Sequence, residues 1–380
     1  MMGIYIHIPF CRSRCIYCDF FSTTLAESWQ LAYVEALGQE IALRAEASEQ
    51  GTKMQCDTLY LGGGTPSQLS GQALARLFSI IEQRLILSAD CEVTIEANPD
   101  DVTPEWVALL KQTPVNRISM GVQSFDDEIL RFLRRRHTAK QARKAVEILH
   151  DGGFQNLNLD LIYGLPGQTQ QQFENDVQEV LSLQTSHLSA YALQFESGTP
   201  LFAMREKGLV TEADEELSLG CYERLMDITA QAGMEHYEIS NFAYPGFRSR
   251  HNSSYWIGSP YIGLGAGAHS YDGRCLRSYN CEDVRQYVEN IGKGILPATT
   301  EHLSSDDRYN ECVMLRLRTR DGLRLDAMES EFGTERLRYL LRMADSHLRR
   351  GKLQITADKT LCLTRRGLFV SDDIISDLMV

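Results

Sequence analysis

The stretch Cys11-Arg-Ser-Arg-Cys15-Ile-Tyr-Cys18 follows directly on the apolar, alternating run Ile4-Tyr-Ile-His-Ile8, with Pro9 ending that run before the cysteines begin. The run reads as a first β-strand and the cysteines as its following loop. Three thiolates from one loop can hold an iron–sulfur cluster and leave one iron without a protein ligand. An ordinary four-iron electron-transfer cluster is closed by four Cys, so a set of three implies that something else takes the last position. Arg12 and Arg14 lie between the cysteines, where positive charge favours thiolate over thiol. A structural zinc site would want four protein ligands in paired spacing, and no second CxxC pair occurs. The other seven cysteines, at 56, 91, 221, 275, 281, 312 and 362, are scattered singly among 380 residues. That pattern reads as buried thiols in a reducing compartment and not as a disulfide framework.

Working outward, β-rich runs alternate with long amphipathic segments. Strands are expected at 4–8, 58–61, 92–97, 117–122, 157–162 and 188–193. Helices are expected at 26–47, 72–84, 104–111, 126–149 with a break near His137, 170–183 and 215–233. Six β/α units in a row predict a parallel sheet with helices outside it. Six is fewer than the eight of a closed TIM barrel, so the fold class is α/β, a partial (β/α)6 TIM-like barrel. Gly62-Gly63-Gly64-Thr65-Pro66 follows the second strand, Glu96 and Gln123 end the third and fourth, and Asp160 lies in the fifth. Catalytic and binding groups of β/α barrels collect at the C-terminal ends of the strands, so these residues are expected to share one cavity with the cysteine loop. Each has a plainer reading: a tight turn for the glycines, an ion pair with Arg117 or one of Arg134, Arg135 and Arg136 for the carboxylates, and a satisfied core amide for Gln123.

The elements Tyr-Ile-His-Ile-Pro before Cys-x3-Cys-x2-Cys, then Gly-Gly-Gly-Thr-Pro-Ser, Glu-Ala-Asn-Pro, Met-Gly-Val-Gln-Ser-Phe and Asp-Leu-Ile-Tyr-Gly-Leu-Pro-Gly-Gln-Thr resemble radical S-adenosylmethionine (radical SAM) proteins of the oxygen-independent coproporphyrinogen III oxidase (dehydrogenase) type. The resemblance is closest to the heme chaperone branch, HemW, and runs from Tyr5 into the C-terminal domain. It implies a [4Fe-4S] cluster on Cys11, Cys15 and Cys18, with S-adenosyl-L-methionine chelating the unique iron. It further implies Tyr17 beside the cluster, Gly63, Gly64 and Thr65 at the methionine end, and Glu96, Gln123, Arg135 and Asp160 at the nucleoside. Tyr5 corresponds to a tyrosine lining the cofactor or substrate pocket. A register error of one within Arg134-Arg135-Arg136 would move that arginine's role.

Three departures select the branch. Phe20 stands where the dehydrogenase has a fourth cysteine, only Met1 to Gly3 precede the first strand, and His251-Asn252-Ser-Ser-Tyr255-Trp256 matches the HNxxYW element of the chaperones. In that reading His251 is the expected axial ligand to heme iron. Asn252 belongs to the same heme site, Tyr255 and Trp256 offer flat surface for the porphyrin, and Arg248 and Arg250 can pair with propionates. His269, in Gly263-Leu-Gly-Ala-Gly-Ala-His269-Ser-Tyr271, is a second candidate, with a glycine-rich βα turn around a packed histidine as the competing reading. His7 and His236 read as structural.

The expected organisation is a barrel over 1–235, a connecting region with the HNxxYW element over 236–300, and a small α+β winged-helix-like domain over 301–380. In isolation such a domain invites a DNA-binding hypothesis. Its fourteen Lys or Arg against fourteen Asp or Glu, and the whole chain's net charge of −13, give no basic face for phosphates. No run approaches the roughly eighteen apolar residues of a membrane span, and the strand starts too early for a targeting peptide. A cytoplasmic protein is expected. Its function would be to accept heme and hand it to a heme-dependent recipient, with a respiratory, membrane-associated hemoprotein as the expected class, homodimerisation left open and no catalytic residue named. The alternative is a dehydrogenase-type enzyme that acts on a tetrapyrrole through a 5′-deoxyadenosyl radical.

Overall fold

The structure, a computed structural model, describes residues 2–47 and 53–380. Strand and helix alternate from the start: β1 (Gly3–Ile8), α1 (Ser28–Ala47), β2 (Met54–Gly63), α2 (Gly71–Arg84), β3 (Leu85–Ala97), α3 (Pro104–Leu110), β4 (Arg117–Gln123), α4 (Asp127–Phe132), α5 (Ala139–Asp151), β5 (Leu157–Tyr163), α6 (Gln170–Ser182) and β6 (His187–Ala192). The helices begin where their caps dictate. Thr138 and Thr169 each close a capping box with the glutamine three residues on, and Thr103 caps α3 just before its Pro104. The expected break near His137 is the gap between α4 and α5, where Arg134 adopts φ +56°.

β1 to β6 lie side by side in sequence order, all parallel. Along β1 the period-2 alternation sets Ile4, Ile6 and Ile8, all fully buried, on the face opposite Tyr5 and His7. Leu59, Leu61, Ile95, Ile118, Leu159 and Leu161 extend the same apolar core along the neighbouring strands.

After α7 (Pro200–Glu206) and α8 (Glu215–Gln231), the next stretch builds onto both edges of this sheet. β7 (Glu235–Glu238) and β8 (Asn241–Ala243) join antiparallel beyond β6, while α9 (Arg250–Trp256) leads to β9 (Tyr261–Leu264), which pairs parallel with β1. β10 (His269–Tyr271), β11 (Leu276–Asn280), α10 (Val284–Gly292) and β12 (Ala298–His302) complete a twelve-stranded mixed sheet in the order β12-β11-β10-β9-β1-β2-β3-β4-β5-β6-β8-β7. Its two ends do not meet, so the barrel is open. Residues 236–300, expected as a connection, thus supply strands to the sheet, and His269 stands on a strand and not in a βα turn.

The C-terminal unit contains α11 (Ser305–Leu317), β13 (Leu323–Arg324), α12 (Leu325–Arg349, interrupted at Gly333 with φ +84°), β14 (Leu353–Ile355), β15 (Thr360–Leu363), α13 (Arg365–Leu368) and α14 (Ser371–Leu378). The expected hairpin is β14–β15, and β13 adds a third antiparallel strand. Tyr309, Val313, Leu317, Leu340, Ile374 and Leu378 form a core separate from that of the sheet. The two units are tied by paired backbone bonds, Ile239 N–H to Arg318 O and Arg320 N–H to Tyr237 O, each 3.0 Å. Among the described residues no helix is long and apolar enough to cross a membrane.

Candidate functional site

The cysteine loop leaves the carboxyl end of β1 and is stitched back by Cys11 N–H to Thr23 O (2.9 Å) and Thr23 N–H to Pro9 O (2.7 Å). Cys11, Cys15 and Cys18 are free thiols, partly exposed. Among the described residues no three His, Cys, Asp or Glu side chains, these cysteines included, are gathered closely enough to hold a metal ion. Burial pushes the Cys11 thiol up and the Cys18 thiol up to about 11. Arg14 favours the Cys11 thiolate, as expected of a cation there, but desolvation is the larger influence. The cation that reaches the loop is Arg135, whose Nη1 donates to Cys15 Sγ at 3.3 Å. Thiols of this kind would bind iron as thiolates, releasing their protons to solvent as the metal binds.

Around the loop stand the other residues singled out in the sequence. Thr65 Oγ1 lies 3.3 Å from Cys11 Sγ. A Cβ on Gly63 would come within 2.4 Å of the His7 ring, and one on Gly64 within 2.7 Å of the Pro9 carbonyl carbon. The glycine run is therefore required by close packing on β1 and its cysteine loop. Glu96 accepts from the Tyr60 hydroxyl (2.8 Å) and the Gly63 N–H (3.0 Å), yet burial outweighs both bonds and raises its carboxyl to about 7, with Asp160 adding to the rise. Burial likewise raises Asp160 to about 6, against a bond from Asn158 Nδ2 (2.7 Å).

Neither carboxylate forms an ion pair among the described residues; Arg117 is 1% exposed, with Nε and Nη1 lacking partners. Gln123 has φ +71° at a bulge between β4 and β5. For a non-glycine residue that is a costly conformation of the kind found at ligand sites. Within the arginine run, Arg135 Nη2 donates to Asn98 Oδ1 (2.7 Å) and to Gly121 O, Arg136 pairs with Asp100 (3.0 Å), and Arg134 is exposed. Tyr17 packs on Ile129, Leu133, Ile162 and Leu165 beside Cys15. One end of the sheet thus gathers the three thiols, a guanidinium, an amide and two carboxyls of raised pKa, a donor set suited to a cluster and to a zwitterionic, hydroxyl-bearing ligand beside it.

The HNxxYW element sits on α9, which Glu92 pins to β3. That carboxylate accepts from the backbone N–H of Arg250 (3.0 Å) and of His251 (2.9 Å). His251 is 1% exposed, with Nδ1 2.9 Å from Thr58 Oγ1, Nε2 2.8 Å from the Tyr255 hydroxyl, and its ring stacked on Tyr60. Burial pulls its pKa down to about 3. It is a neutral imidazole with both nitrogens engaged, and in this conformation it presents no free nitrogen to a ligand. Arg248 and Arg250, expected to meet propionates, instead pair with Glu235 (2.9 Å) and Asp90 (3.2 Å).

Tyr255 and Trp256 wall a cavity of about 710 Å³ between the β1–β9–β10 edge of the sheet and α11, which also touches Tyr5, Phe20 and His269. Asn252, on the same helix, is not among its walls. Thr58 and Glu92 were missed in the sequence, where a carboxylate at the buried start of a β-rich run was the one usable signal, at Glu92; Arg117 was weighed there only as an ion-pair partner for the carboxylates.

The chain matches the Radical SAM superfamily over residues 5–180 and the HemN C-terminal domain over residues 303–370. It is 36% identical over 384 residues to the heme chaperone HemW of Mycobacterium tuberculosis, covering 99% of this chain and 94% of that protein. It is 39% identical over 328 residues to the HemW of Lactococcus lactis, covering 86% and 84%. Among solved structures, coproporphyrinogen III oxidase (HemN) from Escherichia coli superposes with a TM-score of 0.85 at 23% identity, over 100% of this chain and 90% of that one, and so shares the fold. With identity of this level sustained over nearly the whole length of its relatives, the chain belongs to the HemW family of radical SAM proteins.

Proposed function

We propose that this protein is a heme carrier. It holds a [4Fe-4S] cluster on Cys11, Cys15 and Cys18, binds S-adenosylmethionine beside it, accepts heme and passes it to a heme-dependent recipient, with no porphyrinogen turnover. The observation that carries the reading is the 710 Å³ cavity beside the cysteine loop, walled by Tyr255 and Trp256 and roofed by the C-terminal unit. A space of that size with flat apolar walls and a few polar groups suits a drug-sized or cofactor-sized ligand. Relatives of matching length that are named heme chaperones support the choice of heme.

Held by Cys11, Cys15 and Cys18, a cluster with S-adenosylmethionine beside it would supply a redox-active iron centre. Thr65 and the close-packed Gly63-Gly64 turn would lie at the methionine end of that cofactor, the two glycines leaving room for it, with their own N–H groups held by Glu96 and the Ile8 carbonyl. Glu96 and Asp160, with pKa values of about 7 and 6, can each offer or accept a hydrogen bond to nucleoside hydroxyls near neutral pH, while Gln123 and Arg135 orient the ring. Tyr5 stands between cofactor and cargo, its hydroxyl bonded to His7 Nδ1 (3.0 Å). Ten free cysteines suit a cytoplasmic setting, and a respiratory hemoprotein is the recipient class expected.

Anaerobic heme titration of the cluster-reconstituted protein, with each sample assayed for coproporphyrinogen III oxidation, tests this. Stoichiometric heme binding without turnover is the expected result. Turnover with 5′-deoxyadenosine release and no specific heme binding would make the protein a dehydrogenase and overturn the reading.

A further inference from the structure

Which side chain meets the iron can be argued from the cavity itself, resting on the heme-carrier reading above. Axial ligation needs a ring nitrogen whose lone pair is free and points into the space the porphyrin occupies. His251 meets neither requirement, since freeing either nitrogen strands a buried hydroxyl on Thr58 or Tyr255. Two histidines line the cavity. His7 is 6% exposed and also fully engaged, with Nδ1 on the Tyr5 hydroxyl and Nε2 2.9 Å from Phe21 O.

His269 differs in each respect. It is exposed, lines the cavity, and has neither ring nitrogen hydrogen-bonded among the described residues; its one ring contact is a stack on Tyr279 at 5.5 Å. Two residues along the same face of β10 is Tyr271, which contacts Tyr261, which contacts Tyr255 edge-on at 4.7 Å. A continuous aromatic wall therefore joins His269 to the HNxxYW helix. Three arginines line the space as well, of which Arg277 and Arg308 are committed to Glu311 and Glu331. Arg316 has no carboxylate partner among the described residues and bonds the Ile257 carbonyl at 3.2 Å. A propionate is the chemistry that guanidinium lacks.

We propose that His269 is the iron ligand for heme in this cavity, with the porphyrin against Tyr255 and Trp256, a propionate on Arg316, and His251 acting as a positioning residue that fixes Tyr255. The HNxxYW element then shapes the seat while the iron is held by a residue carried on β10.

The test is spectroscopic. Heme complexes of the cluster-loaded wild type and of His269→Ala, His251→Gln and Arg316→Ala are compared by absorption, electron paramagnetic resonance and the iron–histidine Raman stretch, with iron and sulfide content and near-ultraviolet circular dichroism as the check on folding. His269→Ala is expected to lose the imidazole-ligated signature with cluster content unchanged, and added imidazole to restore it. His251→Gln, which keeps groups able to bond Thr58 and Tyr255, is expected to retain the signature, and Arg316→Ala to retain it with weaker binding. An unchanged signature in His269→Ala, or its loss in His251→Gln with imidazole rescue, overturns the assignment and leaves the carrier reading standing. Absence of stoichiometric heme on the wild type overturns the carrier reading and the assignment with it.

Discussion

Glu96 has two hydrogen-bond donors and still carries a carboxyl raised to about 7, because burial costs the anion more than the Tyr60 and Gly63 bonds return. The sign follows from linkage. A carboxyl whose folded pKa exceeds its unfolded value binds its proton more tightly when folded, so its contribution to stability is present below the ordinary carboxylate range and is lost as pH rises through about 7. Glu96→Gln in the cluster-free protein is therefore expected to gain unfolding free energy relative to wild type at pH 8 compared with pH 5, by on the order of 2 kcal/mol. Thermal denaturation at the two pH values checks this. Calorimetry with S-adenosylmethionine should show weaker binding in the same variant, and unchanged affinity would remove Glu96 from the site. For the cluster, Cys15→Ala should fail to retain stoichiometric iron and sulfide after anaerobic reconstitution. Residues such as Glu96, Asp160 and the cysteines were legible because each breaks a local pattern. Thr58 breaks none, and its environment is set by chain far away in sequence, as its 193-residue separation from His251 shows.

The turn after β2 shows what an element demands of its residues. Gly64 sits where a Cβ would press on the Pro9 carbonyl at 2.7–2.8 Å and the Ile8 oxygen at 2.9 Å, backbone atoms that cannot swing aside. Gly64→Ala should cost about 1–3 kcal/mol and displace the cysteine loop, giving a lower melting temperature together with reduced cluster incorporation. A melting temperature equal to wild type would show that the loop yields freely. Six strands and their helices were readable from periodicity, since each runs long enough for the 2- and 3.6-residue patterns to declare themselves. β7 to β12 were not: strands of three to five residues such as β8 and β10 hold too few alternations, and the partner of β9 is β1, at the other end of the chain. β13, two residues long, escaped for the same reason.

At the scale of the whole molecule there are two apolar cores, joined by the Ile239–Arg318 and Arg320–Tyr237 backbone bonds and by Leu368 and Phe369 packed on the larger one. Leu340 is fully buried in the smaller one, so Leu340→Ala is expected to destabilise the C-terminal unit by about 2–4 kcal/mol. Hydrogen exchange should then rise in α11, α12 and α14 while the protection of β1 to β6 is unchanged; equal loosening of both would mean a single cooperative unit. The open barrel was foreseeable from the count of six β/α units, whereas the growth of the sheet at both edges was not. A cavity roofed by α11 is a property of the two units together, which no local pattern records.

The pairing of β1 with β9 has a bearing on how the protein is made. Residues 3–6 find one of their two strand neighbours in residues 261–264, and the far wall of the cavity comes from α11, after residue 304. At synthesis rates of roughly 5–20 residues per second, the cysteine loop leaves the ribosome tens of seconds before its flank can close. On the heme-carrier reading proposed above, a nascent chain would expose its cluster thiols long before it has the compartment meant for a porphyrin, and a truncated product ending before α11 would lack that compartment.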